Sequence, residues 1–381
     1  MIRETIPAEE VLSRAHSVGQ YYGFTPLSTI TAKMRGLPRV KKEYPDVPAT
    51  LSLDSTAETI MSLLGQCRQT EPVPSQRQPL FVWHTNLAPG RPVQKKTTVQ
   101  FHALGADRAL ADVVVIRALI ALVRDLFHED PVVRLNSMGD KETRARYARE
   151  LGVFFRKNAG NHPEEYTTRA KDNVFDAAEF ILAQGGAEDL PAPTEHLSDA
   201  SRKRFEDLLE YLEMTETPYE LARGLISRHN VWNDMCFELL IGGKRVAWGS
   251  HYNDLFRHFF PSSTSATGAI LTIASSGALV KPVPQARIRF SFVHIGDEAK
   301  RISIRLAEDF RKARVPLSQY IGTESLTEQL GLAERDNNPY LLIVGRKEAL
   351  EGSAILRNRA TQVETLLPLS NLIERLKLVT V

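Results

Sequence analysis

Arg223-Gly224-Leu225 stands ahead of the apolar run "NDMCFELLIGG". A guanidinium beside a glycine at the mouth of a strand suits an anionic ligand, because its planar fork of donors matches a carboxylate or phosphate. A second set of cations, Arg91, Lys95 and Lys96, falls in "GRPVQKK" between two strand-like runs. There an RNA- or phosphate-contacting loop competes with a solvated turn, and composition favours the turn. Arg346, Arg357 and Arg359 form a third basic set. His251 and His258 flank Asp254 at a spacing that could hold a metal. With no third ligand in reach a solvated helix face is the simpler reading, and no metal is assigned. No GxxxxGK[ST] loop, no GxGxxG after a strand and no GxSxG elbow occurs. P-loop, Rossmann and serine-hydrolase chemistry therefore lack support.

The elements that must position these residues follow from periodicity and turn signals. "AEEVLSRAHSVGQYY" has apolar residues at helical spacing with Gly23 as its stop, and "FTPLSTI" reads as a short strand. Residues 31–50 read as a loop. "ATLSLDSTAETIMSLLGQC" reads as strand, turn and helix, with Ser55 or Thr56 as the N-cap. "LFVWHTN" and "TTVQFHALGAD" make a long hairpin with the basic tip. An apolar helix over 109–128, the strand "VVRLNSM" and a charged helix over 140–158 follow. Residues 159–217 form a polar helical connector. Strands return at "NDMCFELLIGGKRVAWG" and "GAILTIASS", and "SSGALVKPVPQA" marks a boundary. Beyond it, strands alternate with helices, which predicts a small α/β domain with a largely parallel sheet. Two domains are expected, 1–280 and 286–381.

The chain has 381 residues, 43% hydrophobic and 25% charged, with a net charge of +2. That is ordinary globular composition and announces no nucleic-acid partner by itself. Residues 286–381 carry 15 Lys and Arg against 12 Asp and Glu, which permits RNA binding without demanding it. Cys67 and Cys236 are the only cysteines, which points to a reducing compartment and a cytoplasmic location. The longest apolar run, "ALADVVVIRALIALV", is broken by Asp112 and Arg117 and is too short and charged to span a bilayer, so no membrane partner is expected.

Several stretches, in order, resemble histidyl-tRNA synthetase, a class II aminoacyl-tRNA synthetase. "LNSMGDKETRARYARELGVFF" is similar to that family's Leu-Asn-Ser strand-to-helix segment. "LARGLISRHNVWNDMCFELL" resembles its Arg-Gly-Leu-Asp-Tyr-Tyr…Phe-Glu signature, and "VAWGSHYNDL" its Gly-Gly-Arg-Tyr-Asp-Gly-Leu turn. "TVQFHALGAD" is similar to the strand closing motif 2, and "SLTEQLGLAERDNNPYLLIVGRKEALEGSAILRNR" to the anticodon-binding domain. The resemblance implies an α+β fold: a class II core with an antiparallel six-stranded sheet flanked by helices, a helical insertion, and a C-terminal α/β anticodon-binding-like domain. It also implies a homodimer built on residues 8–30, and tRNA or another RNA as a partner.

The resemblance further implies a site whose chemistry has been emptied. Arg223 keeps the arginine that reaches the amino-acid carboxylate, but Ser227 and Arg228 replace the paired tyrosines. The motif 2 arginine, which grips the α-phosphate, becomes His84 or Thr85. Ser275 stands for the motif 3 arginine. Ala103 replaces the glutamine of Phe-His-Gln, while Asp107 keeps an acidic group nearby. The ammonium-binding Glu of Pro-Glu-Gly-Thr is gone; Thr56 survives and Asp54 is a substitute. The Gly-Gly-Arg-Tyr-Asp turn becomes Gly249-Ser250-His251-Tyr252-Asn253. The remaining ligand-pocket candidates are Thr56, Asp107, Arg223 and Tyr252. Removing one transition-state cation costs about 3–4 kcal/mol. The expected function is thus a pseudoenzyme that binds RNA or regulates a protein partner. The alternatives are an active, divergent histidine–tRNA ligase using ATP and Mg, with Arg228 or Lys244 as replacement cations, and a structural subunit of a larger complex.

Overall fold

The computed structural model describes residues 5–28, 51–68, 73–76, 78–87, 96–158, 164–186, 190–262, 265–277, 288–323 and 325–380. The basic tip with Arg91 and Lys95, and the loop over 31–50, lie outside these residues.

The larger sheet is built on six antiparallel strands: β3 (Leu80–Thr85), β4 (Lys96–Leu104), β9 (Ala266–Ser276), β8 (Lys244–His251), β7 (Asn233–Ile241) and β5 (Val132–Gly139), adjacent in that order. Three two-residue strands extend it in parallel: β1 (Ile6–Pro7) beside β9, β2 (Thr25–Pro26) beside β3, and β6 (Glu220–Leu221) beside β5. "FTPLSTI" thus contributes only Thr25–Pro26, and the chain turns helical at Leu27.

Because side chains alternate along a strand, the pairing register sorts the sheet into two faces. Trp83, Phe101, Ala269, Gly249, Phe237 and Leu135 are successive cross-strand partners on one face. This apolar face packs under α1 (Ala8–Tyr21) and α3 (Ala109–Phe127), forming the main core. The two charges that interrupt α3 both face polar partners. Asp112 meets His251 Nε2 at 2.8 Å in the interior, and Arg117 donates to the Thr215 carbonyl and Thr217 Oγ1. No described helix is long and apolar enough to cross a membrane.

The opposite face carries two mixed rows. One runs Val82, His102, Gly268, Ser250, Cys236, Asn136; the other runs His84, Gln100, Ile270, Trp248, Glu238, Arg134. The apolar helices α2 (Ser55–Cys67) and α8 (Asn253–Phe259) join a second core cluster on this face with Val82, Trp232, Trp248 and Tyr252. Asp54, not Ser55 or Thr56, caps α2 by accepting from the Ala57 N–H at 2.8 Å.

The connector over 159–217 divides in two. The helices α5 (Glu164–Asp172) and α6 (Val174–Ala183) pack with α4 (Lys141–Lys157) in a cluster of their own. By contrast α7 (Asp199–Met214) buries Phe205, Leu208 and Leu212 in the main core.

The C-terminal sheet runs β11 (Leu317–Gln319), β10 (Phe290–His294), β12 (Tyr340–Val344), β13 (Ser353–Asn358), β14 (Glu364–Pro368). It is mixed, not largely parallel. The first three strands are parallel and joined through α9 (Asp297–Ala313) and α10 (Leu326–Asp336). The link from β12 to β13 holds only the short α11 (Arg346–Glu351), too little chain for a parallel crossover, so the strand returns antiparallel. The strand β14, with little apolar alternation, has no counterpart in the periodicity reading; α12 (Leu372–Thr380) closes the chain.

Candidate ligand pocket on the sheet

The mixed face is where side chains with chemistry converge, and the register explains why. On β4, Gln100 and His102 point to this face, while Ala103 pairs with Phe81 on the apolar side. His102 lies so close to β9 that a Cβ on Gly268 would sit 2.0 Å from His102 Nδ1. Only glycine admits the ring there. His102 Nε2 donates to Gln100 Oε1 at 3.1 Å, which leaves Nδ1 to accept from the Tyr252 hydroxyl at 2.8 Å. Complete burial pushes the His102 pKa down to about 3 and raises that of Tyr252 well above its ordinary value, so both stay neutral.

Trp232 fills the middle of the site. Its ring meets Trp248 edge-on at 4.5 Å and Tyr252 at 6.3 Å, and it is 2% exposed. Its indole Nε1–H donates to Asp54 Oδ2 at 3.0 Å, while Oδ1 accepts from Ala57. Both oxygens of the carboxylate are engaged within the chain. Thr56, in the first turn of α2, is half-buried.

The remaining sequence-derived candidates lie elsewhere. Arg223 is 61% exposed and faces Glu195 at 3.7 Å, beside Lys157 and Asn158 in a shallow groove. Only its backbone reaches the sheet: Asn136 Nδ2 donates to the carbonyls of Arg223 and Leu225. Ser227 and Arg228 turn toward α6. The Arg228 N–H donates to Glu179, its guanidinium pairs with Asp176 at 2.6 Å, and Arg144 donates to both carbonyls of the loop. Asp107 pairs with Arg204 at 3.2 Å. Burial opposes the Arg204 charge, but Asp112, Asp234 and Asp107 outweigh it and raise its pKa. Ser275 lies on the apolar side of β9 and bonds Thr97. His84 is on the mixed face, half-buried, with its pKa lowered by burial. Lys244 is exposed on the β7–β8 turn.

ATP with Mg would need cations and clustered acids here. Along the two mixed rows the one cation is Arg134, already paired with Glu238 at 2.8 Å. Among the described residues no group of three His, Cys, Asp or Glu could hold a metal ion. His251 is engaged with Asp112, and Asp254 with Lys141 and Arg257. The described residues do not fit that cofactor pair.

Residues 289–378 match the family described as "Anticodon binding domain". Histidine–tRNA ligase of Fervidobacterium nodosum is 26% identical over 282 residues, covering 69% of this chain and 66% of that protein. Histidine–tRNA ligase 1 of Shouchella clausii is 25% identical over 349 residues, covering 85% of this chain and 79% of that protein. The chain is a histidyl-tRNA synthetase-like member of the class II aminoacyl-tRNA synthetase family. This synthetase-like chain has the α+β class II fold, a mixed sheet with flanking helices and a C-terminal anticodon-binding domain. Superpositions on solved structures are loose. Apo histidyl-tRNA synthetase of S. aureus gives a TM-score of 0.43 at 18% identity, covering 84% of this chain and 82% of that one. An ATP phosphoribosyltransferase regulatory subunit/histidyl-tRNA synthetase from Bacillus halodurans gives 0.42 at 15% identity, covering 90% and 97%.

Trp232, Gln100 and His102 were not among the sequence-derived site residues of this synthetase-like chain. The available signal was the strand start at Asn233: an aromatic one residue before it belongs on the sheet, whereas Ser227 and Arg228 are too far upstream.

Proposed function

We propose that this histidyl-tRNA synthetase-like chain does not form an aminoacyl-adenylate and acts as an RNA-binding protein. The observation that carries this reading is the Trp232–Asp54 hydrogen bond at 3.0 Å. By the family resemblance Asp54 is the substitute for the carboxylate that receives the substrate ammonium, and here an indole N–H already occupies it. The neutral His102–Tyr252 pair beside it offers no charge to a phosphate. Adenylation builds negative charge that fixed cations must meet, so a neutral, self-paired face gives little transition-state stabilisation.

The RNA-binding part rests on the anticodon-binding domain match, with Arg346 and Lys96 as exposed cations. In this reading the chain is a cytoplasmic homodimer with units at 1–280 and 286–381. The test is ATP–pyrophosphate exchange with each standard amino acid, against a control with no amino acid added. No exchange above the control is expected from folded protein. Exchange stimulated by one amino acid would overturn the pseudoenzyme reading and name the substrate.

A further inference from the structure

We propose that Trp232 is an internal stand-in for a ligand: its indole fills, and so holds shut, a site for a small heteroaromatic cation with a ring N–H, of which imidazolium is the simplest. The inference rests on the reading of Asp54 above as a ligand carboxylate, but not on whether the chain forms an adenylate.

The indole sits where a bound ring would sit. Trp232 is 2% exposed, and the rings of Trp248 and Tyr252 meet it edge-on. Its one side-chain polar atom, Nε1, meets Asp54 Oδ2 at 3.0 Å. A neutral amide or carbonyl oxygen would satisfy an indole N–H. A half-buried carboxylate is a more costly acceptor, because the lost solvation of its charge is offset well only by a cation. Capping accounts for one oxygen alone. The cap on α2 uses Oδ1, through the Ala57 N–H, and asparagine caps a helix about as well as aspartate. Among the described residues both side-chain partners of Asp54 are thus neutral N–H groups.

The frame that places the indole does not depend on the indole. Asn230 Oδ1 accepts from the Ser52 N–H at 2.7 Å, and the Asn230 N–H donates to Ser52 Oγ at 3.0 Å. The two segments pair at Ser52–Asn230 and again at Asp54–Trp232, two residues further along each. On the other side of the loop, Arg144 holds the carbonyls of Ser227 and Arg228. With these anchors kept, deleting the ring leaves a hole that has Asp54 Oδ2 on its rim and aromatic walls. The five-membered N–H ring of imidazolium matches the pyrrole half of indole and adds the charge that the carboxylate lacks.

The experiment titrates the full chain carrying Trp232→Gly, or the milder Trp232→Ala, with imidazole at about pH 6, where it is largely protonated. Pyrrole and benzene serve as neutral rings. Calorimetry and unfolding midpoints are the readouts, and refolding yield in each ring replaces them for a variant that does not fold alone. Imidazole is expected to bind one per chain at millimolar concentration, at least about tenfold more tightly than either neutral ring. Adding Asp54→Asn, which keeps the cap on α2, should abolish that preference. The parent should bind none of the three. The proposal is overturned if the three rings bind alike, the mark of an ordinary apolar hole, or if none binds or rescues folding. It is also overturned if the parent binds imidazole as tightly as the variants do. Adenylate formation is read separately, on the parent, so failure here leaves the pseudoenzyme reading untouched.

Discussion

At the scale of single residues, His102 shows how a side chain with catalytic potential becomes a fixed part of the interior. Its ring is sandwiched against Gly268 and both nitrogens are engaged. Its pKa falls from 6.5 to about 3 through burial, and His294 in the C-terminal domain falls to about 3 likewise. The sign follows from linkage. The unfolded chain takes up protons below pH 6.5 that the folded chain refuses, so stability is lost as pH falls from about 6.5 toward 3. Each such histidine contributes up to about 1.4 kcal/mol per pH unit in that window. Urea midpoints measured from pH 7.5 to 5 should fall, and His102→Asn should flatten that slope. A midpoint independent of pH in the parent would contradict the assignment.

At the scale of elements, the two sheets are joined by packing and by one buried charge cluster. Arg311 on α9 makes two hydrogen bonds to Asp125 on α3, at 2.6 and 2.7 Å, and holds Glu308. Glu308 in turn accepts from the Tyr22 hydroxyl at 3.1 Å. Burial opposes the Arg311 charge, but Glu308 and Asp125 push its pKa above the usual range. Arg311→Ala would leave Asp125 without this partner and Glu308 with only the exposed Lys312 as its cation, 3.9 Å away. A loss of about 3 kcal/mol is expected, read as a lower midpoint in calorimetry, with cleavage at the domain junction appearing first in limited proteolysis. An unchanged midpoint would mean that the apolar packing alone joins the two parts. The hairpin of β3 and β4 and the helices α1 and α3 were legible from period and apolar content. The edge strands β1, β6 and β14 were not, because two to five residues with mixed side chains become strands only when a neighbouring edge supplies the hydrogen bonds.

For the whole molecule, the three C-terminal arginines read alike in sequence but do different work. Arg346 is exposed. Arg357 pairs with Glu364, and Arg359 donates to the carbonyls of Ala333 and Asn338, tying β13 to α10. If the chain binds tRNA, Arg346→Ala should weaken binding evenly and lower the salt slope by about one. Arg359→Ala should instead lower the unfolding midpoint. Fluorescence anisotropy against salt separates the two, and equal effects on the slope would refute the distinction.

By itself, the sequence determined the order of the core strands, the helix α3 and the C-terminal alternation of strands and helices. Apolar period and turn chemistry are local, and they suffice for elements of this length. Motif order also carried the family resemblance. Only the tertiary structure decided which side chains meet on the mixed face. Whether Ala103 or His102 points to the site is settled by the register of β4 against β9, and whether Ser227 or Trp232 reaches it by where the chain enters β7. A shift of one residue exchanges the two faces of a strand. That choice is made by the partners a strand finds across the sheet, not by the order of its own residues.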